Sequence, residues 1–359
     1  MEDMAVTIGQ AFHGRRVLLT GHTGFKGGWL AIWLDMLGAE VIGVALDPEH
    51  TGGVYRASGI GGRITDLRQD IRDAGALAAL FAEHRPEVVL HLAAHAIVRE
   101  SYGAPADTFN VNVMGTVNVL EAIRCTPSVK AAVLATTDKC YENTGKTTGY
   151  TETDPLGGHD PYSASKAAAE IAIASWQRSF FNRPGAPGIA SARAGNVIGG
   201  GDRAAERIVP DLIRALEAGR PLRVRNPDAV RPWQHVLEPL HGYLMLTAAL
   251  LRAPGSYAGA WNFGPAAGQF HTVRQLVEAL HAHLGRGMWE NAGEPDAPHE
   301  AALLTLDSTK AVQQLGWRAT LNFEETMRFT AGQYTMPPGG DALGAHRAWI
   351  DRFIGHAHH

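Results

Sequence analysis

The chain has 359 residues, enough for one large domain or two interlocked ones, and its 45% hydrophobic and 19% charged residues are the balance of an ordinary globular protein. Lys and Arg number 32 against 36 Asp and Glu, a formal net charge of -4, which excludes a general attraction to nucleic acid or to an anionic membrane. Two cysteines, Cys125 and Cys140, exclude a disulfide framework; no apolar run approaches the roughly 18–20 residues that cross a bilayer, Met1 to Gln10 lacks the features of a secretion signal, and a cytoplasmic location is expected.

Arg16–Thr20 is a short apolar run ending at glycine and reads as a buried strand. Trp29–Leu37 has helical spacing and stops at Gly38, and Val41–Ala45 is the next strand. Leu77–His84 is helical and runs into Arg85-Pro86; Val88–Leu92 is a buried strand. Asp107–Arg124 reads as a helix, Ala131–Thr136 as a strand, Tyr162–Phe181 as a long Ala-rich helix and Gly188–Ala192 as the strand after it. This alternation predicts an α/β fold, a Rossmann-type doubly wound parallel sheet, with its chemistry at the C-terminal strand ends. After Asn196 the pattern loosens, and helices at Asp202–Arg220, Leu240–Leu251 and Val273–Leu284 suggest a smaller α-rich C-terminal substrate lobe. The expected division is 1–195 for the dinucleotide-binding domain and 196–359 for the lobe, with some segments returning to the sheet. The 17 histidines show no zinc-ligand spacing, no metal is expected, and the tail with His356, His358 and His359 reads as an irregular end.

The first strand runs into Gly21-His22-Thr23-Gly24-Phe25-Lys26-Gly27. Glycines at this spacing allow a tight turn and let backbone N–H groups and a helix N-terminus approach a pyrophosphate. With 41 glycines a chance match is easy, but here the triplet lies between a strand and a helix, the context a dinucleotide requires. Asp47 is placed either to bind the adenosine ribose or to start the Asp47-Pro48 turn. No arginine stands beside it in sequence, which favours NAD over NADP. Asp70 and Ile71, after a short strand, are candidates for the adenine; Leu92, Ala93 and Ala94 permit close approach of a cofactor or serve helix–sheet packing, and Thr136 closes the next strand beside it.

Tyr162-Ser163-Ala164-Ser165-Lys166 opens a helix, and positions i and i+4 share one face. A free tyrosine, with a pKa near about 10, is a poor base, but a nearby lysine and a cationic nicotinamide ring favour its phenolate. Tyr-x-x-x-Lys is common by chance; roughly 140 residues after the glycine turn, with strands in order, it points to oxidation of an alcohol on bound NAD.

Together these motifs resemble the extended short-chain dehydrogenase/reductase family over nearly the whole chain, a family whose members mostly act on nucleotide sugars. There a Ser or Thr at the end of the fourth strand assists the tyrosine, and Thr137 has that place. Most 4,6-dehydratases of the family follow it with Asp-Glu; here Asp138-Lys139 follows, and Thr137–Tyr141 resembles the CDP-glucose 4,6-dehydratase branch. So do Gly21–Gly27, Asp154–Lys166, Gly195–Asp202 and Arg231–Leu240; Arg203 departs, standing where that branch suggests an aromatic residue. The resemblance implies oxidation at C4, loss of water across C5 and C6 and return of the hydride to C6, giving CDP-4-keto-6-deoxyglucose with NAD recycled. It makes Asp138 the acid, needing a pKa raised by burial, and Lys139 the base, needing one lowered by desolvation and nearby cations. An ordinary ion pair is the other use of that dipeptide. A 4-epimerase would share Tyr162 and Lys166 without needing Asp138-Lys139, and a non-enzymatic NAD-binding module would need none of the four.

For the nucleotide end, Arg231 is the leading diphosphate ligand, since arginine binds phosphate oxygens in pairs. Arg193 and Asn196 are candidates for the sugar or its phosphate, Arg223 and Arg225 are alternatives to a solvated surface role, Trp233 serves as a stacking surface or as core, and His235 completes the candidate set. The resemblance also implies a homodimer formed through Asp107–Arg124 and Tyr162–Phe181, their alanines Ala167–Ala169 and Ala172 suiting either that interface or an internal core.

Overall fold

The computed structural model of the chain describes residues 8–146, 148–266, 268–293, 304–336 and 341–357. Strands β1 (Arg16–Thr20), β2 (Glu40–Ala45), β3 (Thr65–Arg68), β4 (Val88–His91), β5 (Ala131–Ala135), β6 (Gly188–Ala194) and β7 (Gly259–Phe263) form one sheet in the order β7-β6-β5-β4-β1-β2-β3. Every pairing in it is parallel. The chain direction across the sheet reverses between β1 and β4, and at such a point the strand ends open a crevice.

Period-two alternation gives the sheet two apolar faces. Val17 and Leu19 of β1 pack on one side with Trp29, Leu30 and Trp33 of α1 (Phe25–Met36). Leu18 packs on the other with Leu77 and Phe81 of α2 (Ala74–His84), Val119 and Leu120 of α3 (Gly115–Arg124) and Ile173 of α4 (Pro161–Trp176). Each such large side chain contributes about 1.5–3 kcal/mol by leaving water. Residues 110–114 and 177–181 are π-helical turns within the two long helical runs.

The lobe has its own core, in which Ile198, Val224 and Trp233 meet α5 (Ile208–Glu217), and Leu276 and Val277 of α7 (Val273–Leu284) meet Met327 of α8 (Phe323–Tyr334). Between them α6 (Leu237–Arg252) lies on the first sheet face, and α9 (Ala342–Ala357) packs on α1.

The structure differs from the sequence reading at definite places. Helix α1 starts at Phe25 instead of Trp29, because the glycine turn passes straight into it from Gly24. Asp202–Arg207 is a loop, its Asp202 carboxylate bonded to Arg207 Nη1 at 2.9 Å, and α5 begins only at Ile208. Helices α8 and α9 and strand β7 stand where no element was expected. His356 belongs to α9, its ring edge-on to Phe329, so the tail is not irregular there; His358 and His359 lie outside the described residues. Among the described residues no helix is long and apolar enough to cross a membrane.

Candidate active site

A large cleft runs over the C-terminal ends of the strands and between the sheet and the lobe. The glycine turn forms one wall. Gly21 has φ 77°, a left-handed conformation suited to glycine, and a Cβ on Gly27 would stand 2.0 Å from the Gly21 carbonyl oxygen. Backbone amides at the start of α1 thus lie open to the cleft, a cradle that fits a dinucleotide pyrophosphate. Gly21, Thr23, Gly24, Phe25, Lys26 and Gly27 line it. His22 does not: its ring turns behind the turn, over Gly43, and Nε2 lies 2.6 Å from Asp66 Oδ1. Burial lowers its pKa despite that carboxylate, and its place is that of a brace between the turn and β3.

Further along, Asp47 lines the cleft with its carboxylate exposed and 3.0 Å from Arg68 Nε. The absence of an arginine near Asp47 held only along the sequence; β3 supplies one from the neighbouring strand. Asp70 accepts from the Arg72 backbone N–H at 2.8 Å and from its guanidinium at 2.6 Å, which holds its pKa below the usual carboxylate range. Ile71, Leu92, Ala93 and Ala94 line the same wall. The Leu92 and Ala93 amides donate to Thr20 Oγ1 at 3.1 and 3.2 Å, fixing the end of β4 against the glycine turn.

At the ends of β5 and α4 the remaining candidates converge. Asp160 caps α4, accepting from the Ser163 amide at 2.9 Å, and the Tyr162 amide donates to Ser101 Oγ at 3.1 Å. These bonds hold Tyr162 at the cleft floor, where its phenol feels Thr137 beside it. Thr137 Oγ1 also donates to Asp138 Oδ1 at 3.0 Å and caps the single turn that carries Lys139. Asp138 is buried, whereas the Lys139 side chain is about one-third exposed, its Nζ 3.5 Å from Asp138 Oδ1. Burial pushes the Tyr162 phenol up, opposed chiefly by Lys139 and by Thr137, while Asp138 adds to the rise. Lys166 is buried with Nζ 3.4 Å from the Ala135 carbonyl oxygen; burial lowers its pKa to about 8 against the pull of Glu170. Lys26, half-buried at the cleft wall, is lowered to about 7 by desolvation, with Arg207 and Lys166 adding and Asp138 opposing.

Beneath this centre lies a polar cluster that the sequence reading did not assemble. Glu170, one turn after Lys166, accepts from Thr136 Oγ1 at 2.5 Å, Ser191 Oγ at 2.7 Å and Arg193 Nη2 at 2.7 Å. Arg193 Nη1 donates to the Tyr141 hydroxyl at 2.7 Å. The Arg193 side chain is thus committed under the floor and does not line the cleft, while Thr136 does.

On the lobe side Asn196, Arg223, Arg231 and Trp233 line the cleft. Arg223 is exposed and 3.5 Å from Glu290. Trp233 belongs to the lobe core and is almost wholly buried where it borders the cleft. His235 is fully buried, Nε2 3.0 Å from Gln333 Oε1, away from the cleft. Arg203 pairs with Glu217 at 2.8 Å and borders the cleft where an aromatic residue was expected. The sequence reading missed Arg207, Arg99 and Glu206, all on the cleft wall.

The family described as GDP-mannose 4,6 dehydratase matches residues 18–330. The chain is 42% identical to a CDP-glucose 4,6-dehydratase of Salmonella typhimurium over 94% of its length and 92% of that protein, and 28% identical to a dTDP-glucose 4,6-dehydratase of Xanthomonas campestris over 88% and 92%. A UDP-glucose 4-epimerase of Thermus thermophilus, solved in complex with NAD, matches with a TM-score of 0.76 and 27% identity over 89% of this chain and 98% of that one. The chain belongs to the GDP-mannose 4,6 dehydratase family, within the extended short-chain dehydrogenases/reductases.

Proposed function

We propose that the chain converts CDP-glucose to CDP-4-keto-6-deoxyglucose and water, with NAD held on the glycine turn. The observation that carries this reading is the placement of a buried carboxyl and an accessible amine, Asp138 and Lys139, directly beside Thr137 and Tyr162. An enzyme that only oxidises and reduces C4 has no use for them.

Bound in its cradle, NAD supplies the reversible hydride acceptor that keeps the cycle redox-neutral. Tyr162 takes the proton of the C4 hydroxyl, with the Arg207 charge opposing the burial that disfavours its phenolate. The new ketone acidifies the C5 hydrogen, which Lys139 removes and later restores. Asp138 gives a proton to the C6 hydroxyl as it leaves as water. Thr137, bonded to Asp138 and acting on the Tyr162 phenol, stands between the group that gains a proton and the one that loses it. Asn196 and Arg231 face the sugar and its phosphate from the lobe. The 42% identity to a CDP-glucose enzyme supports the choice of base.

Incubation with CDP-glucose in heavy water is expected to yield a 4-ketosugar with deuterium at C5 and no net consumption of NAD. Recovery of a C4 epimer without 6-deoxy product would overturn the proposal. The reading also includes a cytoplasmic homodimer joined through the long helical runs, where Phe109, Met114, Ile171 and Phe180 are exposed. A sedimentation mass of one chain would refute the dimer.

A further inference from the structure

Several arginines border the cleft, and their partners differ in kind. Arg207 is fixed by Asp202, whose carboxylate is buried, and Arg223 meets Glu290 at the rim. The Glu206 side chain, two-fifths exposed, differs from both in meeting two arginines at once. Its Oε2 lies 2.9 Å from Arg225 Nη1 and 3.3 Å from Arg99 Nη1. Arg99 comes from the short helix Val98–Gly103 that follows β4, on the sheet side; Arg225 follows the lobe strand Leu222–Val224. One carboxylate oxygen thus ties the two walls of the cleft together, and all three residues line it.

The backbone carries a second observation. Glu206 has φ 60°. The one other non-glycine residue with positive φ among the described residues, Arg85, closes the C-terminus of α2, where a left-handed residue is common. Glu206 closes no helix; it stands two residues before α5, in a conformation that a glutamate adopts only against its preference.

We propose that Arg99 and Arg225 form a two-arginine clamp for the diphosphate of the substrate, and that Glu206 occupies this clamp in the free protein. The inference rests on the nucleotide-sugar reading above. Two guanidinium groups that share one carboxylate oxygen are spaced to share a phosphate, and a diphosphate offers more charge and more acceptor oxygens than a carboxylate. On binding, the nucleotide diphosphate displaces the Glu206 carboxylate into water, and the two arginines hold both walls on the ligand. Glu206 thereby lowers the affinity for any anion that lacks a diphosphate's charge, without touching the sugar or the base.

Calorimetric titration of the NAD-saturated protein with CDP, cytidine and inorganic pyrophosphate tests the clamp. Glu206→Gln keeps the size of the side chain and is expected to bind CDP and pyrophosphate roughly three- to tenfold more tightly, the range set by releasing two half-exposed ion pairs, with cytidine unchanged. Arg99→Ala combined with Arg225→Ala is expected to weaken CDP and to abolish the gain from Glu206→Gln. Unchanged or weaker CDP binding by Glu206→Gln, in a protein whose melting temperature is preserved, overturns the clamp. A gain for pyrophosphate without any turnover of CDP-glucose would keep the clamp and refute the dehydratase.

Discussion

Glu170→Gln removes the negative half of the buried pair with Arg193 while keeping the volume of the side chain. Both partners are almost wholly buried, and the carboxylate accepts from Thr136, Ser191 and Arg193. Breaking a buried pair on one side leaves an uncompensated charge and costs about 3–5 kcal/mol. Unfolding entropy near about 2.1 cal/mol/K per residue gives roughly 0.75 kcal/mol per degree for 359 residues, so the melting temperature is expected to fall by about 4–7 °C. The pH dependence has a definite sign. Burial works to raise the Glu170 pKa, but Arg193 and the two hydroxyls outweigh it and hold it below its ordinary value of 4.5. A depressed carboxyl contributes its stability above the unfolded pKa and loses it as pH falls through the folded one. The gap between the parent and Glu170→Gln is therefore largest near neutrality and closes in acid below that value. Adding Arg193→Met removes the orphaned charge and is expected to restore much of the loss. Calorimetric melts of the parent and the two variants provide the test; a fall of less than about 1 °C for Glu170→Gln at neutral pH, on the same entropy scale, would refute the structural role of the pair.

Lys139→Ala is expected to leave C4 oxidation while blocking removal of the C5 hydrogen, seen as absorbance of enzyme-bound NADH after mixing with CDP-glucose and a loss of ketosugar formation by on the order of a hundredfold or more; full release of 6-deoxy product would refute Lys139 as the base. Lys26→Met removes a lysine whose pKa is depressed from 10.5 to about 7. Its charge costs stability below pH 7 and nothing above the unfolded pKa, so melts are expected to show a gain at pH 6, reduced by solvent screening of this half-buried group to about 1–3 kcal/mol, that fades by pH 10.5. Gly27→Ala places a methyl group where the Gly21 carbonyl oxygen stands, 2.0 Å away, and is expected to cost about 1–3 kcal/mol or more in stability and to weaken NAD binding, measured by melting and fluorescence titration.

The glycine turn, Thr137-Asp138-Lys139 and Tyr162-x-x-x-Lys166 were legible because each is a contiguous segment at a strand end or helix start, where local spacing fixes relative position. Elements whose place depends on a distant partner were not. Strand β7 is short and reads as strand only once β6 is beside it. Arg68 reaches Asp47 because β3 lies next to β2, a relation that spacing along the chain does not contain. Arg193 stood at a strand end and so suggested a ligand, yet it shares the face of Ser191, two residues before it, and both point to Glu170. That alternation, together with Glu170 one turn after Lys166, was a signal available in the sequence. Glu206 and its two arginines come from three separate stretches and become a unit only in the folded chain.

The position of β7 also bears on how the chain reaches this fold during synthesis. Until Gly259–Phe263 has emerged, β6 is an edge strand, although all seven of its residues are buried in the finished sheet. Roughly 65 residues separate the two strands, about 3–13 s at ribosomal rates, during which an apolar edge stays open to pairing with another chain. Asn262, on the late strand, supplies the bond to the Tyr141 hydroxyl at 2.8 Å, so the cluster beneath the active site also waits for it. A fragment ending near Asn196 is accordingly expected to carry the nucleotide cradle and the tyrosine–lysine pair yet to aggregate, whereas one extended past Phe263 covers that edge.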